Sequence, residues 1–308
     1  MVKFNKSSLF SHPFILLFIS ILSVSISSIM IKFSDTPTSV AGMYRLFISV
    51  IIMLALVPWR RLRSIDMNKK DWSIVLLAGL LLGLHFLFWM ESLSYTSVAS
   101  SMVILALQPL FVMTGSYFLF KEQAKLPTVL CLIVAVVGSI LIAWGDIGVS
   151  KEALIGDGLS LIGTFFVSAY LLAGQKVSHK IDVNIYSIIV FFIGGAVMLV
   201  YNLIYNYSLI EYDSSEWTYF LLLAIIPTIF GQYIFNLLLK SIGATTVSVG
   251  IIGEPVLAII LAYLLLGETI SLFQFLGGML TLFGMGMYFW SKSLSYNVDG
   301  GIKNGNNR

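Results

Sequence analysis

The ionisable side chains that could do chemistry in this sequence are few, and they lie inside long apolar runs. Arg45 lies partway into one such run, and Glu254 lies in the middle of another. A charge at bilayer depth costs about 2.5–3.5 kcal/mol on insertion scales, so each requires a partner, water or a ligand. The guanidinium of Arg45 suits an anionic ligand such as a carboxylate or phosphate, while a structural cation that caps helix ends or pairs with an acid such as Glu91 is the alternative.

Glu254 is followed by Pro255, and this pair predicts a bend in a helix. Proline removes a backbone N–H and leaves a carbonyl free, so the helix cannot continue regularly through it. A carboxyl group beside such a bend is a candidate for coupling to a proton or another cation, and Glu91 is a second candidate for coupling or gating. A structural acid that is hydrogen-bonded to a neighbouring helix is the alternative for Glu254.

Two pairs of polar or aromatic side chains are spaced four residues apart in other apolar runs. His85 and Trp89 form one pair, and Gln232 and Asn236 form the other. A spacing of four places both members on one helix face, so each pair is expected to look into a cavity where a small organic molecule could bind. Hydrogen bonding between helices, worth on average about 0.6 kcal/mol per contact in lipid, is the alternative, and it is favoured for the two amides.

The composition shows which solvent must surround these residues. The chain has 308 residues, of which 58% are hydrophobic and only 11% charged, and its mean hydropathy is +0.95. An average soluble domain is about 25% charged. These values exclude a soluble enzyme and a disordered chain, and a net charge of +3 is too small for a nucleic-acid binder. One cysteine and three scattered histidines exclude a disulfide framework, and we expect no metal and no cofactor.

Ten apolar runs are long enough to cross a hydrocarbon core, which needs about 20 helical residues. The runs are continuously apolar rather than alternating, which favours helices over a barrel. The sequence therefore predicts an all-α membrane protein. The predicted spans are Phe14–Phe33, Pro37–Val57, Trp72–Ser92, Ser97–Phe120, Leu126–Trp144, Gly158–Gln175, Asn184–Tyr207, Trp217–Leu239, Ala244–Leu266 and Ser271–Ser291.

Lysine and arginine residues near the ends of the spans indicate the orientation. If the amino terminus is cytoplasmic, nearly all of the 18 basic residues fall on the inner side, and only Lys32 and Lys151 fall at outer ends. Cytoplasmic loops carry such an excess, so both termini are predicted to be cytoplasmic in a multi-pass protein of the cell (inner) membrane. Residues 1–13 form the cytoplasmic amino terminus, and residues 292–308, rich in Asn and Gly, are expected to be a disordered cytoplasmic tail.

The two halves of the sequence resemble each other when the chain is shifted by 146 residues. The matches run from the fourth and fifth spans onto the ninth and tenth: Gln108-Pro109 with Glu254-Pro255, Glu122 with Glu268, Leu126 with Leu272, Gly138 with Gly284, and Trp144 with Trp290. Because each half holds five spans, the second copy crosses the membrane in the opposite sense. We therefore expect two inverted five-helix repeats, residues 14–144 and residues 158–291, as in many secondary transporters.

Each copy carries a polar residue before proline and then a glutamate before its final helix. The first copy reads Gln108-Pro109-Leu110 and Phe118-Leu119-Phe120-Lys121-Glu122, and the second reads Glu254-Pro255-Val256 and Leu264-Leu265-Leu266-Gly267-Glu268. With the arginine of Ala41-Gly42-Met43-Tyr44-Arg45, this pattern resembles the EamA-type family of the drug/metabolite transporter superfamily over residues 14–291. The chain departs from the family at Gln108, where an acidic residue is common, and at Lys121, where glycine is usual.

The resemblance implies a secondary transporter that moves a small organic metabolite, such as an amino acid, a related metabolite or a drug, by alternating access. No GxxxxGK[ST] motif is present, so transport is expected to depend on a gradient or on exchange. The expected partners are the substrate, the lipid bilayer and a coupling proton or cation, with no nucleic acid; a homodimer is left open. Alternatives are an intramembrane lipid-modifying enzyme, an importer or exchanger of a nucleotide-like metabolite such as S-adenosylmethionine, and a channel.

The candidate residues follow from these observations. Those predicted to bind substrate are Arg45, His85, Trp89, Gln108, Gln232, Asn236 and Glu254, and those predicted to couple or gate are Glu254 and Glu91.

Overall fold

The computed structural model describes residues 12–57, 67–96, 98–123, 125–144, 150–266 and 270–305. The regular secondary structure of these residues is helical throughout. In chain order the helices are α1 (Pro13–Lys32), α2 (Thr38–Leu56), α3 (Lys69–Ser92), α4 (Val98–Leu105), α5 (Gln108–Phe120), α6 (Leu126–Trp144), α7 (Lys151–Val177), α8 (Val183–Ile204), α9 (Ser214–Leu223), a π-helical segment (Ala224–Tyr233), α10 (Ile234–Ile251), α11 (Glu254–Leu266) and α12 (Leu272–Gly305).

Eight helical stretches among the described residues are long and apolar enough to cross a membrane. One of them, Ser214–Ile251, has 38 residues and is divided at Gly243, whose φ of 77° and ψ of 163° are not helical. Two further apolar helices are shorter: α6, which matches the fifth predicted span, and α11, which matches the last part of the ninth predicted span. The helices therefore follow the predicted spans, although three spans are divided: the fourth into α4 and α5, the eighth into α9, the π-helical segment and the first part of α10, and the ninth into the last part of α10 and α11.

Two helices extend beyond the predicted spans. α7 begins at Lys151, because the Ser150 side chain accepts a hydrogen bond from the Ala153 N–H at 3.1 Å and so caps the helix start. α12 continues to Gly305, so residues 292–305 are helical in the structure, where the sequence favours a disordered tail. Helix propagation adds a hydrogen bond per residue once a turn exists, so a polar continuation of an apolar helix is inexpensive.

The helices break at equivalent places in the two halves. α4 ends at Leu105 and α5 begins at Gln108, while α10 ends at Ile251 and α11 begins at Glu254. Each break lies directly before the residue that precedes a proline. Proline is well accommodated in the first turn of a helix, where its missing N–H has no partner to lose. The prolines that the sequence places in mid-span thus begin new helices there.

The final helices of the two halves, α6 and α12, pack against each other through equivalent residues. A Cβ on Gly138 would lie 2.5 Å from the backbone N of Thr281, and a Cβ on Gly284 would lie 2.6 Å from the backbone N of Ala135. The Thr281 hydroxyl donates to the Ala135 carbonyl at 3.3 Å, and these two residues are 146 positions apart. Residues earlier in α6 contact residues later in α12, so the two helices run antiparallel. Their backbones approach so closely at the crossing that only glycine fits there.

The core is built from packing between the halves. α3 packs against α7 and α8, and α2 packs against α8. Small residues allow close approach, as at Gly163 of α7, where a Cβ would lie 3.1 Å from the backbone N of Trp89. These contacts bring the middle of α3 against the second half and so position the polar side chains of both halves around a common interior.

Candidate functional site

A cavity lies inside the helix bundle where the two helix breaks meet. Water-sized molecules can place their centres in a volume of about 40 Å³, which is room for about three waters. Six of the seven candidate substrate-binding residues line this cavity: Arg45, His85, Trp89, Gln108, Gln232 and Glu254. The remaining wall is mostly apolar and is formed by Val24, Ser27, Phe86, Leu105, Val167, Phe235 and Ile251.

Arg45 is almost fully buried and is held by neighbours from three other elements. Its Nε donates to the Thr228 hydroxyl at 2.7 Å, its Nη1 to the Ser27 hydroxyl at 3.1 Å, and its Nη2 to the Pro227 carbonyl at 3.4 Å. Its guanidinium carbon lies 4.5 Å from the centre of the Phe86 ring, a cation–π distance. These three bonds use three of the five guanidinium N–H groups and leave two for the cavity.

The π-helical segment supplies the groups that hold Arg45. Pro227 lies inside it and has no N–H, so the Leu223 carbonyl four residues earlier lacks its usual α-helical donor. The Thr228 hydroxyl donates to that carbonyl at 2.8 Å and accepts from Arg45 on its other side. The proline that distorts the helix thus also exposes the oxygen atoms that fix the arginine, and π-helical segments often occur at functional sites.

His85 and Trp89 lie on one face of α3, as their spacing predicts. Their rings are stacked at 6.0 Å with an angle of 17° between the planes. The His85 Nδ1 lies 2.9 Å from the Gly163 carbonyl and can only donate to it, so Nε2 of a neutral ring is left as an acceptor. The Trp89 Nε1–H is buried without a hydrogen-bond partner among the described residues.

Gln108 and Glu254, which are equivalent in the two halves, line the same cavity from opposite halves. Gln108 is 1% exposed, and its Nε2 is buried without a hydrogen-bond partner in the described part of the chain. Glu254 is 5% exposed, and its carboxylate interacts electrostatically with the guanidinium of Arg45. A carboxylate, a guanidinium and an unpartnered amide therefore share one small, largely apolar cavity.

Asn236 and Glu91 lie away from this cavity. Asn236 accepts a hydrogen bond from the Tyr170 hydroxyl and donates to the Ser187 hydroxyl at 3.0 Å, so its amide joins helices rather than facing the cavity. Gln232 and Asn236 both contact the Tyr170 hydroxyl, so the predicted pairing is present, although only Gln232 reaches the cavity wall. Glu91 is half-buried near the end of α3 and is not a partner of Arg45.

At one end of the bundle the Gln175 side chain joins the second half to the first. The Gln175 Oε1 accepts from the Ala244 N–H at 2.5 Å, while its Nε2 donates to Glu122 Oε1 at 3.0 Å. Ala244 follows the non-helical Gly243, so its N–H begins a new helical stretch and has no partner within it. We call these contacts the Gln175 latch; the equivalent of Glu122 in the second half, Glu268, lies outside the described residues.

Sequence reasoning missed the residues that support Arg45, namely Ser27, Phe86 and Thr228. Pro227 inside an apolar run was a usable local signal, because a mid-helix proline frees backbone oxygen atoms that a buried cation can use. The partners themselves carry no local signal, since Thr228 is 183 positions from Arg45 in sequence. The Gln175 latch was missed for the same reason.

The fold and the cavity define a class of protein: a multi-pass, all-helical integral membrane protein in which two halves surround a buried polar site. The profile of the EamA-like transporter family matches residues 13–144 and 154–290, once in each half. The chain therefore belongs to the EamA-like transporter family. Its relatives are transporters rather than enzymes, so a small-molecule substrate is implied and the lipid-modifying alternative is set aside.

Individual relatives agree with this assignment. The chain is 24% identical over 77% of its length to "Uncharacterized transporter sll1164" of Synechocystis sp., of which it covers 71%. It is 23% identical over 82% of its length to "Uncharacterized transporter YoaV" of Bacillus subtilis, of which it covers 87%. A solved crystal structure superposes with a TM-score of 0.76 at 16% identity, covering 89% of this chain and 95% of the other, and shows the same fold.

Proposed function

We propose that this protein is a secondary transporter that carries a small organic metabolite through the central cavity by alternating access. The two five-helix halves are inverted relative to each other, and both termini face the cytoplasm. The antiparallel contact of α6 with α12 supports the inversion, because equivalent residues meet there. Inverted halves can exchange their conformations, which opens the same site first to one side and then to the other.

One observation carries this proposal: polar side chains from both halves converge on a cavity that is bordered by both helix breaks. Gln108 and Glu254 begin the helices after the two breaks and line the same cavity. Broken helices at mid-depth are a frequent device of transporters, because their unpaired ends can serve a ligand. The cavity holds about three waters in this conformation, so a metabolite enters only when one end of the bundle opens.

The charges in the cavity favour a zwitterionic substrate with a small apolar part, which is the chemistry of an apolar amino acid. The guanidinium of Arg45 has two N–H groups left for a carboxylate, and the carboxylate of Glu254 suits an ammonium group. Val167, Phe235 and Ile251 supply an apolar surface for a side chain. A nucleotide-like substrate would require a much larger opening of the same cavity.

Counterflow into liposomes tests the proposal. Purified protein is reconstituted in liposomes loaded with one unlabelled solute, and uptake of the same labelled solute is followed for a panel of amino acids, nucleosides, sugars and organic cations. We expect saturable exchange of an apolar amino acid that is lost in Arg45→Ala. Exchange of a nucleoside derivative instead would redirect the substrate assignment, and non-saturable flux would contradict a carrier mechanism.

The proposed coupling role of Glu254 is tested separately. If Glu254 exchanges a proton with the cavity, accumulation driven by a pH gradient should disappear in Glu254→Gln, while exchange at saturating substrate should continue, because exchange requires no net proton movement. Glu91→Gln serves as the comparison variant for the second coupling candidate. A wild-type response to the gradient in Glu254→Gln would remove the coupling role from this residue.

A further inference from the structure

The duplicated positions at the two helix breaks carry different charges, and this asymmetry points to the orientation of the substrate. The second half places the carboxylate of Glu254 at the start of α11, whereas the first half places the neutral amide of Gln108 at the start of α5. Each helix has 13 residues. A helix amino terminus carries a partial positive charge, which Glu254 offsets with its own carboxylate and Gln108 does not.

Two further observations indicate that the first-half side lacks a negatively charged or acceptor group. The Gln108 Nε2 and the Trp89 Nε1 are both buried, both belong to residues of the cavity wall, and neither has an acceptor among the described residues. A buried donor without a partner is costly, and a ligand oxygen removes that cost. Arg45 lies in the same wall with two N–H groups left over.

We propose that Gln108 is the specificity-determining residue of the cavity: the amide of Gln108 and the indole N–H of Trp89 bind the carboxylate of the substrate together with Arg45, and Glu254 binds its ammonium group. The inference rests on the proposed function, and it adds a fixed orientation across the two halves. Because Gln108 is neutral and Glu254 is acidic, the cavity between the two halves has a negative side and a side that lacks negative charge. A glutamate at Gln108 would make both breaks acidic and turn the cavity into a cation site.

The test exchanges charge at each break and measures which ligand binds. The probes are L-leucine, 3-methylbutylamine, which lacks the carboxylate, and 4-methylpentanoate, which lacks the ammonium group. The apparent affinity of each probe is measured from its inhibition of labelled leucine counterflow. We expect Gln108→Glu to weaken leucine about tenfold to a hundredfold, the range of a charge-assisted hydrogen bond, and to strengthen the amine. We expect Glu254→Gln to weaken leucine and strengthen the acid.

Matched controls separate charge from folding. Gln108→Leu removes the amide without adding charge, so it should weaken leucine but leave the amine unchanged. Gln274→Glu makes the same chemical change at the start of α12, where the side chain oxygen accepts from the Ser271 N–H at 2.9 Å, and should alter no ligand preference.

The outcomes distinguish the two proposals. A gain in affinity for the amine in Gln108→Glu, together with a gain in affinity for the acid in Glu254→Gln, supports the proposed orientation of the substrate. Wild-type preferences in a folded Gln108→Glu protein, or loss of the amine and leucine alike, overturn it and leave the transporter intact. A wild-type protein that exchanges other solutes but recognises none of the three probes overturns the amino-acid substrate and the orientation with it.

Discussion

Replacing Gln175 by alanine should open the closed end of the bundle more often. The Gln175 latch joins the two halves, because its Nε2 donates to Glu122 Oε1 of the first half at 3.0 Å while its Oε1 caps the Ala244 N–H of its own half. The net contribution of one hydrogen bond is typically about 1 kcal/mol. If the bond to Glu122 holds this end closed, its loss should raise the population of the open conformation about fivefold, since 1.4 kcal/mol is about tenfold.

Cysteine labelling can measure that population. Ser116 lies behind the latch, is 1% exposed, and its hydroxyl lies 3.4 Å from that of Thr245. In a Cys131→Ala background, which removes the native cysteine, Ser116→Cys should react with a maleimide only when this end opens. The labelling rate in nanodiscs, with fast reclosing, is then proportional to the open fraction, and Gln175→Ala should increase it about fivefold.

Gln175→Glu is the matched variant, because its carboxylate still accepts from the Ala244 N–H but cannot donate to Glu122, so its labelling should be as fast as that of Gln175→Ala. Equal labelling rates in wild type and Gln175→Ala would refute the role of the latch. Labelling of Gln175→Glu at the wild-type rate would show that the bond to Glu122 is not the relevant contact.

Three further predictions concern stability and can be checked by thermal unfolding in detergent. Gly138→Ala should destabilise by about 1–3 kcal/mol through overpacking, whereas Gly286→Ala, with no atom within 4 Å of its Cβ, should not; equal melting temperatures would contradict the close helix contact. Thr228→Val should cost about 1–3 kcal/mol by removing an acceptor from Arg45, and Thr228→Ser should restore it; a Val variant as stable as Ser would exclude this support. Gly243→Ala should cost about 1–3 kcal/mol because its φ of 77° and ψ of 163° suit only glycine, and an unchanged melting temperature would show that the kink relaxes freely.

The sequence predicts most of the fold because the membrane leaves few choices. Continuous apolar runs of span length must be helical, since backbone groups in lipid have to be satisfied within the segment. The two prolines at 109 and 255 mark the broken helices, and the structure places the breaks directly before Gln108 and Glu254. The 146-residue shift that aligns the sequence motifs also aligns the ends of these helices, because the duplication copied whole helices and not only the motifs.

The cavity could be predicted only in part. Four-residue spacing correctly brings His85 and Trp89 to one wall, because α3 is regular there. The same spacing does not bring Asn236 to the cavity, because its amide is held between Tyr170 and Ser187. Contacts such as that of Arg45 with Thr228 join residues far apart in the chain, and no local pattern encodes them.

The antiparallel crossing of α6 and α12 has a consequence for how such a molecule can arise. Gly138 contacts Thr281, which is the equivalent of Ala135 in the second half, and Gly284, the equivalent of Gly138, contacts Ala135. Each half therefore carries a surface that is complementary to its own copy. A half-length ancestor inserted in both orientations could pair with itself through this surface before any gene fusion. Once the halves were joined, each could mutate alone, which is how one break could keep an acid while the other acquired an amide.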